Sequence, residues 1–190
     1  MKHLNLILHL LILSFLVSCE KKEVAPIEPI DQLPFASTSG MNTIGCLVNG
    51  KALVPKVDKW MDVPSSCHYQ YLKDSFGEGY YFNVSARNYK DNPFTGIWIQ
   101  SQFLEMEEGK TYPLTSEGEN GKAHAFYKVR FDDTNSVYYY TNETHKGEMT
   151  ITRLDRYEQI ISGTFWFDAV NERGEKVEVR EGRFDMKYVK

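Results

Sequence analysis

Cys67-His68 is the one adjacent pair in the chain that could supply a thiol nucleophile together with its base. Neighbours on an extended strand point to opposite faces, so the two cannot pair directly if this stretch is β. His68, His124 and His145 are scattered, with neither an H-E-x-x-H helix nor an i, i+2 pair of histidines on a strand, and they do not spell a zinc site. Asp132-Asp133-Thr134-Asn135 gathers oxygen ligands but lacks the glycine and distal glutamate of a calcium loop, and reads as a polar hairpin turn. The carboxylates of a glycosidase are set by spatial separation rather than sequence spacing, and nothing lifts Glu105, Asp155 or Asp168 above ordinary solvated charges. The sequence therefore assigns no catalytic residue, no metal ligand and no cofactor.

One pattern does point to binding. Opposite the expected core faces, Trp98 accompanies Gln100 and Gln102, Tyr81 accompanies Asn83, and Trp166 accompanies Thr164 and Asp168. A flat ring can cover the apolar face of a pyranose while amides and carboxylates bond its hydroxyls. Trp98, Gln100, Trp166, Tyr81 and Asn83 are thus the candidate carbohydrate surface. The competing reading is that these rings are covered by a second layer or lie singly on the surface, which needs no explanation.

The elements that must carry these side chains follow from period-2 alternation, which recurs along the chain while no apolar stripe at helical spacing persists for three turns. Tyr80, Phe82, Val84 and Ala86 alternate with Tyr81, Asn83, Ser85 and Arg87; Ile97, Ile99, Ser101 and Phe103 alternate with Trp98, Gln100 and Gln102. Asn49-Gly50 between two apolar runs predicts a type I′ hairpin. Thr111 to Thr115 reads as a short edge strand, where Pro113 is tolerated. Gly77-Glu78-Gly79 reads as a turn, and separate strands are expected over Lys176 to Arg180 and Arg183 to Val189. The fold class is all-β, an antiparallel β-sandwich or closed β-barrel of about nine or ten short strands.

The first eighteen residues, a basic Lys2 followed by an apolar run to Ser18, have the order of a secretory signal peptide. Leu4 to Val17 is shorter than the roughly 20 apolar residues of a spanning helix. Leu16-Val17-Ser18-Cys19 resembles the bacterial lipobox, in which the cysteine thiol takes a diacylglyceryl group. Residues 19–42 mix charges with Pro26, Pro29 and Pro34 and read as a lipidated cysteine with a flexible tether. Residues 43–190 have the size of a single domain.

Removing the signal peptide leaves 21 basic residues against 26 acidic ones, a balance that excludes nucleic acid as a partner and gives no basic face for acidic headgroups. Membrane residence would come from the lipid at Cys19. Cys46 and Cys67 are the remaining cysteines, and in an oxidising compartment such a pair commonly bonds, stabilising by roughly 3 kcal/mol. Alternatively, Cys46 shares a strand face with Ile44 and Val48 as a small core hydrophobe.

Gly45-Cys46-Leu47-Val48-Asn49-Gly50-Lys51, Gly109-Lys110-Thr111-Tyr112-Pro113-Leu114, Ile160-Ile161-Ser162-Gly163-Thr164-Phe165 and Gly182-Arg183-Phe184-Asp185 resemble a family of uncharacterised Bacteroidetes lipoproteins. The resemblance covers about Thr43 to Lys190 and implies a single β domain behind a lipobox, with no activity to transfer. The expectation is a lipid-anchored, non-catalytic module of the bacterial outer membrane, on its periplasmic face or at the cell surface, meeting a glycan or another envelope protein. The alternatives are a carbohydrate-binding surface protein, a small glycan hydrolase, and a lipocalin-like carrier whose barrel is lined by Tyr80, Phe82, Ile97, Ile99, Phe165 and Phe167.

Overall fold

The computed structural model describes residues 27–75 and 77–190, and the signal peptide and Cys19 lie outside these. After a 3-10 turn at Pro29–Gln32 come eleven strands: β1 Thr43–Val48, β2 Lys51–Leu53, β3 Ser65–Asp74, β4 Gly77–Asn88, β5 Phe94–Ser101, β6 Thr111–Thr115, β7 Ala123–Arg130, β8 Ser136–Tyr140, β9 Gly147–Asp155, β10 Ile160–Val170 and β11 Lys176–Lys187. They form one large sheet in the order β2-β1-β11-β10-β9-β6-β7-β5-β4-β3, with β8 pairing both β7 and β10. All ladders are antiparallel except β6 with β7, so the sheet is mixed, and the all-β architecture is sandwich-like.

Local chemistry sets most of the strand ends. Asn49 and Gly50 both take positive φ, 48° and 76°, as the expected hairpin requires. The Asn49 side chain also accepts a bond from Glu178 N, fixing the hairpin onto β11.

Three local expectations give way to tertiary packing. Gly77 and Gly79 belong to β4, because the Phe103 ring lies across them and a Cβ on Gly79 would come within 2.9 Å of it. The two strands expected after Lys176 are one, β11, because a bulge at Arg180 and Glu181 (φ 54°) carries the ladder past Gly182 instead of ending it. β6 is no edge strand, since it lies between β9 and β7. Its ladder with β7 begins only at Leu114, so Pro113 forfeits no bond on that side.

The alternating apolar faces meet in one core. Phe82, Phe167, Ile97, Ile99, Met149 and Ile161 are wholly withdrawn from water or nearly so. Phe165, Phe184 and Phe82 meet at centroid distances of 6.1 to 6.4 Å. Cys46 and Cys67 are buried there as free thiols, which corrects the expected disulfide. They sit on β1 and β3, which are not ladder neighbours, and each faces the apolar interior. Burial pushes the Cys46 thiol up to about 12 and moves Cys67 the same way.

The tether expected over residues 19–42 is in part a packed strap. Leu33 is buried, Pro34 lies against Gly45, and the Asp185 carboxylate accepts bonds from Ser37 Oγ, Ser39 N, Gly40 N and Met41 N as well as from Ser162 Oγ on β10. Arg153 on β9 also donates to Thr38 O. Proline content and charge mimic a solvated linker, whereas the organising acceptor lies more than 140 residues away in sequence.

Burial alone would raise the Asp185 carboxyl, but the bonds from Ser37, Ser162, Met41 and Gly40 outweigh it and hold it at about 2. Its pKa is depressed on folding, so its contribution is complete above about pH 4 and is lost as pH falls toward 2. Asp185→Asn should cost about 2 kcal/mol at neutral pH, with the gap to wild type closing over that acid window in urea titrations. The core thiols predict that the denatured, unreduced protein yields two reactive thiols apart from Cys19, and that neither reacts rapidly in the native state.

Candidate functional site

Side chains on β3, β4, β5 and β7 that point away from the core line up by register. His68 pairs across to Asn83, Asn83 to Gln100, and Gln100 to His124, so one row of hydrogen-bonding groups crosses four strands. Gln70 and Tyr81 face each other one step further along the same ladder. Together with Ser66, Arg87 and Gln102 they line an open cleft of about 450 Å³. No carboxylate lines it.

The groups in this cleft differ in how far they are already committed. Arg87 donates to Val63 O and Ser66 Oγ, which spends its guanidinium at one end of the cleft. His124 is only 6% exposed, and its Nε2 has no hydrogen-bond partner among the described residues. The Thr115 hydroxyl, on the β6 residue paired with His124, is buried and unpartnered too. Burial lowers the His124 pKa below its ordinary 6.5 despite the opposing field of Glu117, which favours the neutral ring at pH 7.

Of the sequence-derived carbohydrate surface, Tyr81, Asn83 and Gln100 come together in this cleft. Trp98 stands one row away on the same face, but its ring is stacked on Phe126 of β7 at 4.9 Å and 6°, with the Arg87 guanidinium of β4 5.5 Å from its centroid. Flanked from both neighbouring strands, it offers no free face to a sugar. Trp166 is 39% exposed but lies on β10, with β9, β6 and β7 between it and β5. Its ring carries the Arg180 guanidinium at 5.5 Å, and Arg180 is itself paired with Asp168. The two tryptophans do not share a surface.

His124, His68 and Gln70 were not in the sequence-derived set. Alternation along β7 places His124 outward between Ala123 and Ala125, but its meeting with Gln100 depends on a strand register that no local pattern reveals.

The other candidates have structural occupations. Cys67 is buried while His68 is exposed, on opposite faces of β3. Asp132 Oδ1 accepts from Thr134 N, Thr134 Oγ1 and Asn135 N, closing its own turn. Glu105 is paired with Arg156, Asp155 with Arg153, and Asp168 with Arg180. Among the described residues no group of three or more His, Cys, Asp or Glu side chains is placed to hold a metal ion.

Residues 101–186 match the family described as a domain of unknown function, DUF6252. The DUF6252 segment runs from the last residue of β5 to near the end of β11, so it includes His124 and Asp185 but not the β3 and β4 side of the cleft. No curated protein and no solved structure matches the chain.

The buried, neutral imidazole gives a direct check. In a proton NMR titration His124 should titrate below 6.5, and stability should decline as pH falls under that value because the unfolded chain takes up the proton more readily. His124→Gln should flatten that part of the pH–stability curve. A His124 midpoint at or above 6.5 would contradict the burial argument.

Proposed function

We propose that this protein is a lipid-anchored, non-catalytic module of the bacterial outer membrane, held through Cys19, whose cleft on β3, β4, β5 and β7 binds an uncharged glycan. The observation that carries the reading is the row His68, Asn83, Gln100 and His124 in a cleft lined by no carboxylate. Amides, and the neutral imidazole of His124, both donate and accept, which suits hydroxyl-rich ligands that present both functions. Tyr81 adds an aromatic wall beside them.

Glycoside hydrolysis in its common form requires two facing carboxylates, and this cleft supplies none. The carrier reading needs unfilled volume among Phe82, Ile97, Ile99, Phe165 and Phe167, yet these side chains are buried against one another as the core, with Tyr80 packed on them. The glycan reading differs from a stacking platform in where its selectivity arises, because hydrogen-bond geometry rather than an open tryptophan face would select the ligand.

Two measurements test the proposal. Cys19→Ala should abolish lipid labelling and move the protein to the soluble fraction; unchanged membrane retention would remove the anchor. On an array of neutral glycans the purified protein should bind, and Asn83→Ala combined with Gln100→Ala should weaken that binding by about tenfold or more, since each lost hydrogen bond is worth about 1 kcal/mol. Binding that survives the double substitution would place the ligand elsewhere, and an array without binding would overturn the glycan reading.

A further inference from the structure

A second cavity lies on the far side of the sheet order, beneath the strap. Phe35, Ser37 and Thr38 of the strap, with Thr43 of β1, Thr164 of β10 and Arg183 of β11, line a half-open cavity of about 220 Å³. Three contacts hold the strap there. Pro34 seats against Gly45, where a Cβ would come within 2.8 Å of it; Asp185 gathers residues 37–41; and Arg153 donates to Thr38 O. Gly45 and Thr164 are also the register partners of Arg183 on its two sides.

Among the described residues Arg183 is the only charged one lining this cavity. Its Nε is buried with no hydrogen-bond partner among the described residues, and no described carboxylate pairs with it. The acid two positions along, Asp185, stays ionised but makes no ion pair with it among the described residues, its oxygens being held by the strap and by Ser162. A guanidinium presents a rigid fork of donors matched to an oxyanion, and threonine hydroxyls around it add further donors. Thr43, Thr152 and Thr164 stand around it on three different strands.

We infer that this sub-strap cavity is an oxyanion site for a single phosphate group, with Arg183 as its principal ligand and the threonine hydroxyls completing the contacts. The site is independent of the glycan cleft: it lies on other strands and uses cationic rather than neutral chemistry.

The test uses the full mature protein labelled with ¹⁵N, observing the arginine Nε resonances while inorganic phosphate is titrated at constant ionic strength. The Arg183 resonance, assigned by its loss in Arg183→Lys, should shift saturably, and chloride in place of phosphate should not reproduce the shift. Arg183→Gln should abolish saturation at the neighbouring Thr164 and Gly163 amides, and Thr164→Val should weaken it severalfold while leaving the amide spectrum of the core unchanged. Glycerol phosphate and vesicles of phosphatidylglycerol, run against phosphatidylcholine vesicles, then separate the sources. Competition by the anionic vesicles assigns the site to a lipid headgroup, and competition by the soluble phosphates alone assigns it to a free ligand. Absence of a saturable Arg183 shift, or a shift that persists at Thr164 in Arg183→Gln, would overturn the proposal.

Discussion

A carboxylate taken out of water must find donors, and at Asp185 that requirement organises one whole side of the molecule. Its oxygens collect two serine hydroxyls and three backbone N–H groups, four of the five donors coming from the segment that precedes β1. Without this acceptor, residues 37–41 would have no reason to leave solvent, since their own side chains bury little apolar surface. With it, the strap is drawn across β1, β11 and β10, and a partly open cavity forms between it and the sheet face.

The same constraint explains the glycines around it. Gly45 admits Pro34, and Gly163 sits where a Cβ would come within 2.5 Å of Thr150 O and 2.7 Å of the Phe184 ring. Gly45 lets the strap seat on the outer side of β1, whereas Gly163 lets β9 and the core-facing Phe184 ring pack close against β10. On the opposite half of the sheet no such strap lies among the described residues. There the outward residues of β3, β4, β5 and β7 line an open cleft, exposed at His68 and nearly covered at His124.

How much of this could be read from the chain depends on the range of the interaction concerned. Alternation placed Phe82, Val84, Ile97 and Ile99 inside and Tyr81, Asn83, Trp98 and Gln100 outside, because side-chain direction on a strand is a local property. The Asn49-Gly50 hairpin was legible for the same reason. What alternation could not carry was register and partnership: that Gln100 meets His124, that Phe126 and Arg87 flank Trp98, that Cys46 and Cys67 lie on strands that do not pair, and that Asp185 captures residues beside Met41. Proline and charge in residues 19–42 have the same composition in a solvated tether as in a strap held by one distant carboxylate, so composition alone read the whole segment as tether.

The flanking of Trp98 bears on recognition beyond its own position. A binding surface that relies on stacking gains affinity from apolar contact and tolerates many ligands, because most sugars present an apolar patch. Here the tryptophan ring is already engaged by Phe126 at 4.9 Å, while Asn83, Gln100 and the nearly buried His124 line the cleft. A buried donor or acceptor left unmatched by a ligand costs about 1–3 kcal/mol, whereas a mismatched apolar contact costs less. On the proposed glycan reading, a cleft built from such groups would discriminate by the pattern of hydroxyls that a ligand offers rather than by stacking.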